Sequence, residues 1–190
     1  YANGLRSMDA VASVYGGVPS LMKQPLLGSL YSTVELSSLP SKLKELGYFS
    51  SFYHAADELS MGFKPFLLSQ GLDEYQAKQQ YPNTADFDGT WGIFDGPYLR
   101  YVSEKLTQQN QPWISGIFTL SSHHPYKVPE KYRHLPKGTS EIHQSVGYTD
   151  EALRQFFKSA STKSWFTNTV FIITADHTSI NQTKPHSTYR

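Results

Sequence analysis

Val170-Phe171-Ile172-Ile173-Thr174-Ala175-Asp176-His177-Thr178 runs four apolar residues into an acid-imidazole pair. A half-exposed strand alternates apolar with polar residues, so an unbroken run predicts a strand buried on both faces, as in a mostly parallel sheet. Ligands of open α/β sheets gather at the carboxyl ends of the strands. Asp176 and His177 arrive at such an end, and carboxylate and imidazole both coordinate divalent ions such as Zn²⁺ or Mn²⁺. A strand that merely stops in a polar turn gives the same dipeptide, so the rest of the chain has to decide.

Working outward, Trp113 to Leu120 is a second buried-strand pattern and leads into Ser121-Ser122-His123-His124-Pro125. Tyr48 to His54 is a third, ending on a histidine. Helical spacing lies between them. Asp95 to Gln109 sets Tyr98, Tyr101, Val102 and Leu106 on one side. Thr149 or Asp150 is placed to cap a helix carrying Leu153, Phe156, Phe157 and Ala160. Leu39 to Gly47 is a short helix with Pro40 near its start, and Phe63 to Gln70 is one or two helical turns closed by Gly71. At the front, Met8, Val11, Val14 and Tyr15 follow Ser7, which stands at a predicted N-cap; Gly16-Gly17-Val18-Pro19 ends that helix. Residues 20–37 and 125–136 read as loops, and 73–92 shows no period. Helix and strand alternate without repeat or linker, which predicts an α/β domain over residues 1–190 whose mostly parallel sheet carries helices on both faces.

The 190 residues are 38% hydrophobic and 17% charged, a globular composition with room for one core. A net charge of +1 argues against a nucleic-acid surface. Thirteen Tyr and 11 Phe suit either a large aromatic core or a broad pocket for a sugar-like ligand. The absence of cysteine leaves oxygen and nitrogen as the donors for any metal. No run reaches the roughly 20 apolar residues of a membrane span. The chain opens on Tyr1 rather than Met and ends at Arg190 soon after its strongest strand, which predicts a fragment truncated at both ends.

If the three strands are parallel, His54, His123 with His124, and Asp176-His177 share one edge of the sheet. Each histidine alone reads as a surface residue; their convergence is what points to a site. The helix beginning at Ser7 adds amides and a positive dipole end that favour an anion, and a hydroxyl that is nucleophilic beside a dication. Arg6 is placed to pair with phosphate oxygens. A plain N-cap explains Ser7 equally well on spacing alone.

Asn3-Gly4-Leu5-Arg6-Ser7, Phe52-Tyr53-His54-Ala55, Gly71-Leu72-Asp73-Glu74-Tyr75, Trp91-Gly92-Ile93-Phe94-Asp95, Leu120-Ser121-Ser122-His123-His124-Pro125-Tyr126, Tyr148-Thr149-Asp150 and Thr174-Ala175-Asp176-His177 together resemble one family. It is the sulfatase-like domain of lipoteichoic acid synthases and related phosphoglycerol transferases, within the alkaline phosphatase and sulfatase superfamily. The resemblance covers essentially the whole chain. It implies that Ser7 stands where the family has a threonine nucleophile that also touches the metal. It further implies that Asp176 and His177 are metal ligands and that His54 and His123 line the substrate pocket. The implied cofactor is a divalent ion, Mn²⁺ first, with Zn²⁺ or Mg²⁺ as alternatives. The implied substrate is a phospholipid or glycan phosphate ester, handled at the extracytoplasmic face of a membrane by a protein anchored through helices outside this sequence.

Departures from the family matter as much. Its fourth metal ligand, a glutamate upstream of the nucleophile, would precede Tyr1. A Trp and an Arg that follow the first pocket histidine by seven and nine residues are here Met61 and Phe63, which removes a bidentate phosphate contact. The formylglycine motif of true sulfatases is absent around Ser7, so phosphoryl chemistry is expected ahead of sulfate-ester hydrolysis. His186, in a polar stretch, reads as a surface histidine. A third reading keeps the fold without the chemistry, as a binder of glycans or lipid head groups, and an unpaired sheet edge predicts homodimers of the fragment.

Overall fold

The computed structural model describes residues 4–177. Its sheet has three strands in the order β2-β1-β3: β1 (Phe49–His54), β2 (Glu74–Gln76) and β3 (Trp113–Phe118). Both pairings are parallel, and Phe52 of β1 faces Tyr75 and Gly116. Among the described residues five helices surround it: α1 (Ser7–Gly16), α2 (Leu39–Lys44), α3 (Phe63–Ser69), α4 (Asp95–Gln108) and α5 (Ile142–Ala160). Short 3-10 turns fill several of the connections.

Successive residues of a strand point to opposite faces, and β1 shows what that does. Phe52 faces a core with Val11, Tyr15, Phe63, Phe66 and Leu67 from α1 and α3. Tyr53 faces the other, with Tyr98, Val102, Ala152 and Phe156 from α4 and α5. Helices therefore cover both faces, as the alternation implies. Tyr15 reaches the sheet because its partner on β3 is glycine; a Cβ on Gly116 would stand 1.6 Å from the Tyr15 hydroxyl. The two rings of Tyr15 and Phe52 meet edge to face at 5.5 Å.

The ends of the elements follow local chemistry. Gly17, at φ 66°, closes α1, its N–H bonding back to Ser13 O. Ser38 caps α2 by accepting from Ser41 N–H at 3.1 Å and donates to Gln70 O at 2.6 Å, which ties α2 to the end of α3.

Four local expectations are revised. The cap of α1 is Arg6 with extended backbone, so Ser7 is the first helical residue and its hydroxyl is not spent on first-turn amides. β2 lies inside the aperiodic 73–92 stretch, too short for a pattern to register. α5 starts at Ile142, two turns before Thr149, because Tyr148 is drawn inside by Tyr132, 4.8 Å away, and by Gly96, whose N–H it accepts. Val170 to Ile173 is neither paired nor buried: Val170 is 87% and Ile172 85% exposed. Apolar side chains drive a segment out of water but do not choose its partner, and among the described residues no strand lies beside this one.

Candidate active site

The site is built around the first residue of α1. Gly4 turns the chain at φ 94°, where a Cβ would lie 2.3 Å from Asp9 Cβ, so glycine is required for the approach. Asp9, buried in the first turn, accepts from Leu5 N–H at 3.2 Å and from Arg6 Nε at 3.4 Å. An acid in the first turn of a helix is the signal that marks Asp9 in the sequence. Arg6 also donates from its terminal nitrogen to Lys23 O at 2.8 Å, so its guanidinium is engaged in holding the loop.

With the cap supplied elsewhere, the Ser7 hydroxyl donates to Asp176 Oδ2 at 2.6 Å. Asp176 Oδ1 accepts the backbone N–H of His177 at 2.8 Å, and His177 Nε2 lies 3.5 Å from Asp176 Oδ2. A hydroxyl from the front of the chain thus meets an Asp-His pair from its back, 169 residues away. Ser7 is nearly buried, whereas Asp176 and His177 keep about a quarter to a third of their side chains open.

His54 does not open onto a pocket. It closes β1 with 0% exposure, boxed by Phe63, Phe118 and Tyr75, and its Nδ1 shares a hydrogen with the Tyr75 hydroxyl at 2.9 Å. Burial pulls its pKa down to about 4, so at neutral pH the ring is uncharged. Nε2 is buried without a partner. Phe63 is wholly buried in the same box.

His123 lies beyond β3, on the same sheet edge as His54 because the strands are parallel. It is half-buried, with its ring 4.7 Å from Trp91 and 4.2 Å from His124, and Nδ1 2.8 Å from His124 O. Trp91 fixes the turn by donating its indole N–H to His124 O at 2.7 Å. The structure therefore joins Ser7 with Asp176 and His177, seats His123 with Trp91 and His124, and leaves His54 in the core. His186 lies outside the described residues.

A hydroxyl, a carboxylate and an imidazole are the donor set a borderline divalent ion takes, and three protein donors with open positions suit a catalytic site better than a structural one. Among the described residues no three His, Asp or Glu side chains gather to complete a cage. The residues fit a divalent ion as part of a ligand set.

A parallel sheet with helices on both faces makes this an α/β protein, and its fold matches structures of the alkaline phosphatase superfamily. The chain belongs to the Sulfatase family, whose sequence model matches residues 19–189, a span holding Asp176 and His177 but not Ser7. It is 28% identical over 152 residues to lipoteichoic acid synthase 1 of Bacillus subtilis (76% of this chain, 24% of the relative). To phosphoglycerol transferase I of Citrobacter koseri it is 27% identical over 152 residues (74% and 20%). The chain spans about a quarter of the length of the curated relatives it matches. Among solved structures, an alkaline phosphatase superfamily protein of Vibrio parahaemolyticus superposes with a TM-score of 0.77 at 27% identity, over 87% of this chain and 41% of that one. The lipoteichoic acid synthase LtaP of Listeria monocytogenes gives 0.74 at 19% identity, over 84% and 41%, a likeness of fold.

Proposed function

We propose that the chain is the core of a metal-dependent phosphotransferase or phosphodiesterase, one catalytic unit over residues 1–190 in which Ser7 is the nucleophile. The observation that carries this reading is the 2.6 Å bond from the Ser7 hydroxyl to Asp176. Ser7 Oγ attacks the phosphorus of a phospholipid or glycan phosphate ester and forms a new P–O bond as the ester oxygen departs. In this reading Asp176 takes the hydroxyl proton, and His123, on an accessible loop, supplies the leaving oxygen with one. A divalent ion, with Mn²⁺ the first choice, would be held by Ser7, Asp176 and His177; bound there it lowers the hydroxyl's pKa and offsets phosphoryl charge. Water or a second alcohol then releases the phosphoryl group from Ser7.

Of the two pocket histidines the family suggests, His123 is retained in this reading and His54 becomes a support. Arg6 is assigned to the loop that presents Ser7, with phosphate contact as its second role. The name phosphoglycerol transferase I, borne by one relative, supports a phosphoglycerol-type donor, and the proposal puts the reaction at the extracytoplasmic face of a membrane. No helix among the described residues is long and apolar enough to cross a membrane.

The test is turnover of a lipid or aryl phosphodiester with Mn²⁺ by the whole protein and its Ser7→Ala variant. Loss of about three or more orders of magnitude is expected for a covalent nucleophile; equal turnover refutes the assignment. The Sulfatase match also favours a second reading, hydrolysis of sulfuric esters. That chemistry requires an oxidised side chain at position 7, so the mass of the Ser7 peptide separates the two.

A further inference from the structure

Trp91-Gly92-Ile93-Phe94-Asp95 connects the end of β1, which closes on His54, with the chain that leaves β3 toward His123. Ile93 N–H donates to Ala55 O at 3.0 Å, immediately after His54, and Asp95 reaches the chain leaving β3. Asp95 is 1% exposed. Its Oδ1 accepts from Leu120 N–H at 2.8 Å and Ser121 N–H at 3.1 Å, the latter also lying 3.2 Å from Oδ2. Oδ2 further accepts from the Thr149 hydroxyl at 2.8 Å, and the Asp95 N–H returns a bond to Ser121 Oγ at 3.0 Å.

A buried carboxyl is a costly way to join two helices, since an apolar contact of the same shape does so without desolvating a charge. What a carboxyl adds is direction. Two of its donors are consecutive backbone amides, so it fixes the peptide planes where the chain leaves β3. From there the geometry propagates in one step: Leu120 O accepts His123 N–H at 2.9 Å, and His123 O accepts Tyr126 N–H at 2.9 Å. Trp91, four residues before Asp95, supplies the ring against which His123 rests.

We propose that Asp95 is a positioning residue that sets the His123 loop, with Thr149 holding its second oxygen. The claim rests on the proposed function only for what His123 does to a phosphate ester. The brace itself is independent of the nucleophile, so the experiment reads the loop and not turnover.

The ring protons of His123 are shifted by the ring current of Trp91, and histidine-selective labelling of the whole protein reports that shift, with His123→Gln giving the assignment. Asp95→Ala is expected to reduce the shift by about half or more, as the two amides lose their buried acceptor. Asp95→Asn, which keeps both Oδ1 bonds and can donate to Thr149, retains most of it. Thr149→Val, with the carboxyl in place, shows a smaller loss and decides the matter if the alanine variant does not fold. A His123 shift that stays at the parent value in every variant that folds, whatever happens to the melting temperature, overturns the proposal: Asp95 would then support the core without positioning the loop.

Discussion

The imidazole of His54 sits among three aromatic rings with no route to water, and its chemistry follows from that setting. Its pKa falls from an ordinary 6.5 to about 4, so the folded protein binds fewer protons there than the unfolded chain. Stability is therefore fully present above about 6.5 and is lost as pH falls from there toward about 4. The slope in that window is at most about 1.4 kcal/mol per pH unit. His54→Phe is expected to flatten this slope, read as denaturation midpoints across the same window; an unchanged slope would show that the ring is already solvated. Asp95 is moved the other way: burial raises its pKa, while the bonds from Leu120, Thr149 and Ser121 pull it back without cancelling the rise. Ser7 leads α1 behind Arg6 at the cap position, and its hydroxyl donates to Asp176.

Among the elements, the segment from Trp91 to α4 does most to bring strand ends together. Gly92 makes an isolated antiparallel bridge with Ala56, and a Cβ on Gly92 would stand 2.2 Å from Ala55 O and 2.9 Å from Leu120 Cδ1. Because the first clash is with backbone at the end of β1, it cannot be relieved by a rotamer. Gly92→Ala is expected to destabilise the fold by about 1–3 kcal/mol, as overpacking does, and to disturb His54 and His123 together. Urea titration gives the first quantity and the two imidazole resonances the second; a neutral substitution would mean the two strand ends separate freely. The periodicity of α4 was legible in the sequence because it buries one continuous face, and the run of β1 because it is buried on both. The early start of α5 was not, because it depends on Tyr148 meeting Gly96 and Tyr132, residues remote in sequence.

Across the whole molecule, β3 has a partner strand on one side only among the described residues, and Val170, Ile172 and Ile173 present their side chains to water. An apolar run and an open strand edge are both invitations to association. The 190-residue chain by itself is expected to form dimers or larger species with rising concentration, and Ile172→Lys to shift it toward monomer in sedimentation velocity. A parent chain that stays monomeric at high concentration would show that these residues are covered from within.

The sequence by itself determined the α/β class and the strand β1 that ends on His54, whereas β3 stops at Phe118 and the run before Asp176 forms no strand. Those features depend on short-range spacing, where the period of a strand or helix and the polarity of its faces are read directly. Tertiary structure alone decided that Ser7 faces Asp176, that His54 is walled in by Phe63, Phe118 and Tyr75, and that Asp95 grips the loop before His123. Each depends on which surfaces meet after the chain has closed over long separations, and local pattern carries no record of that choice.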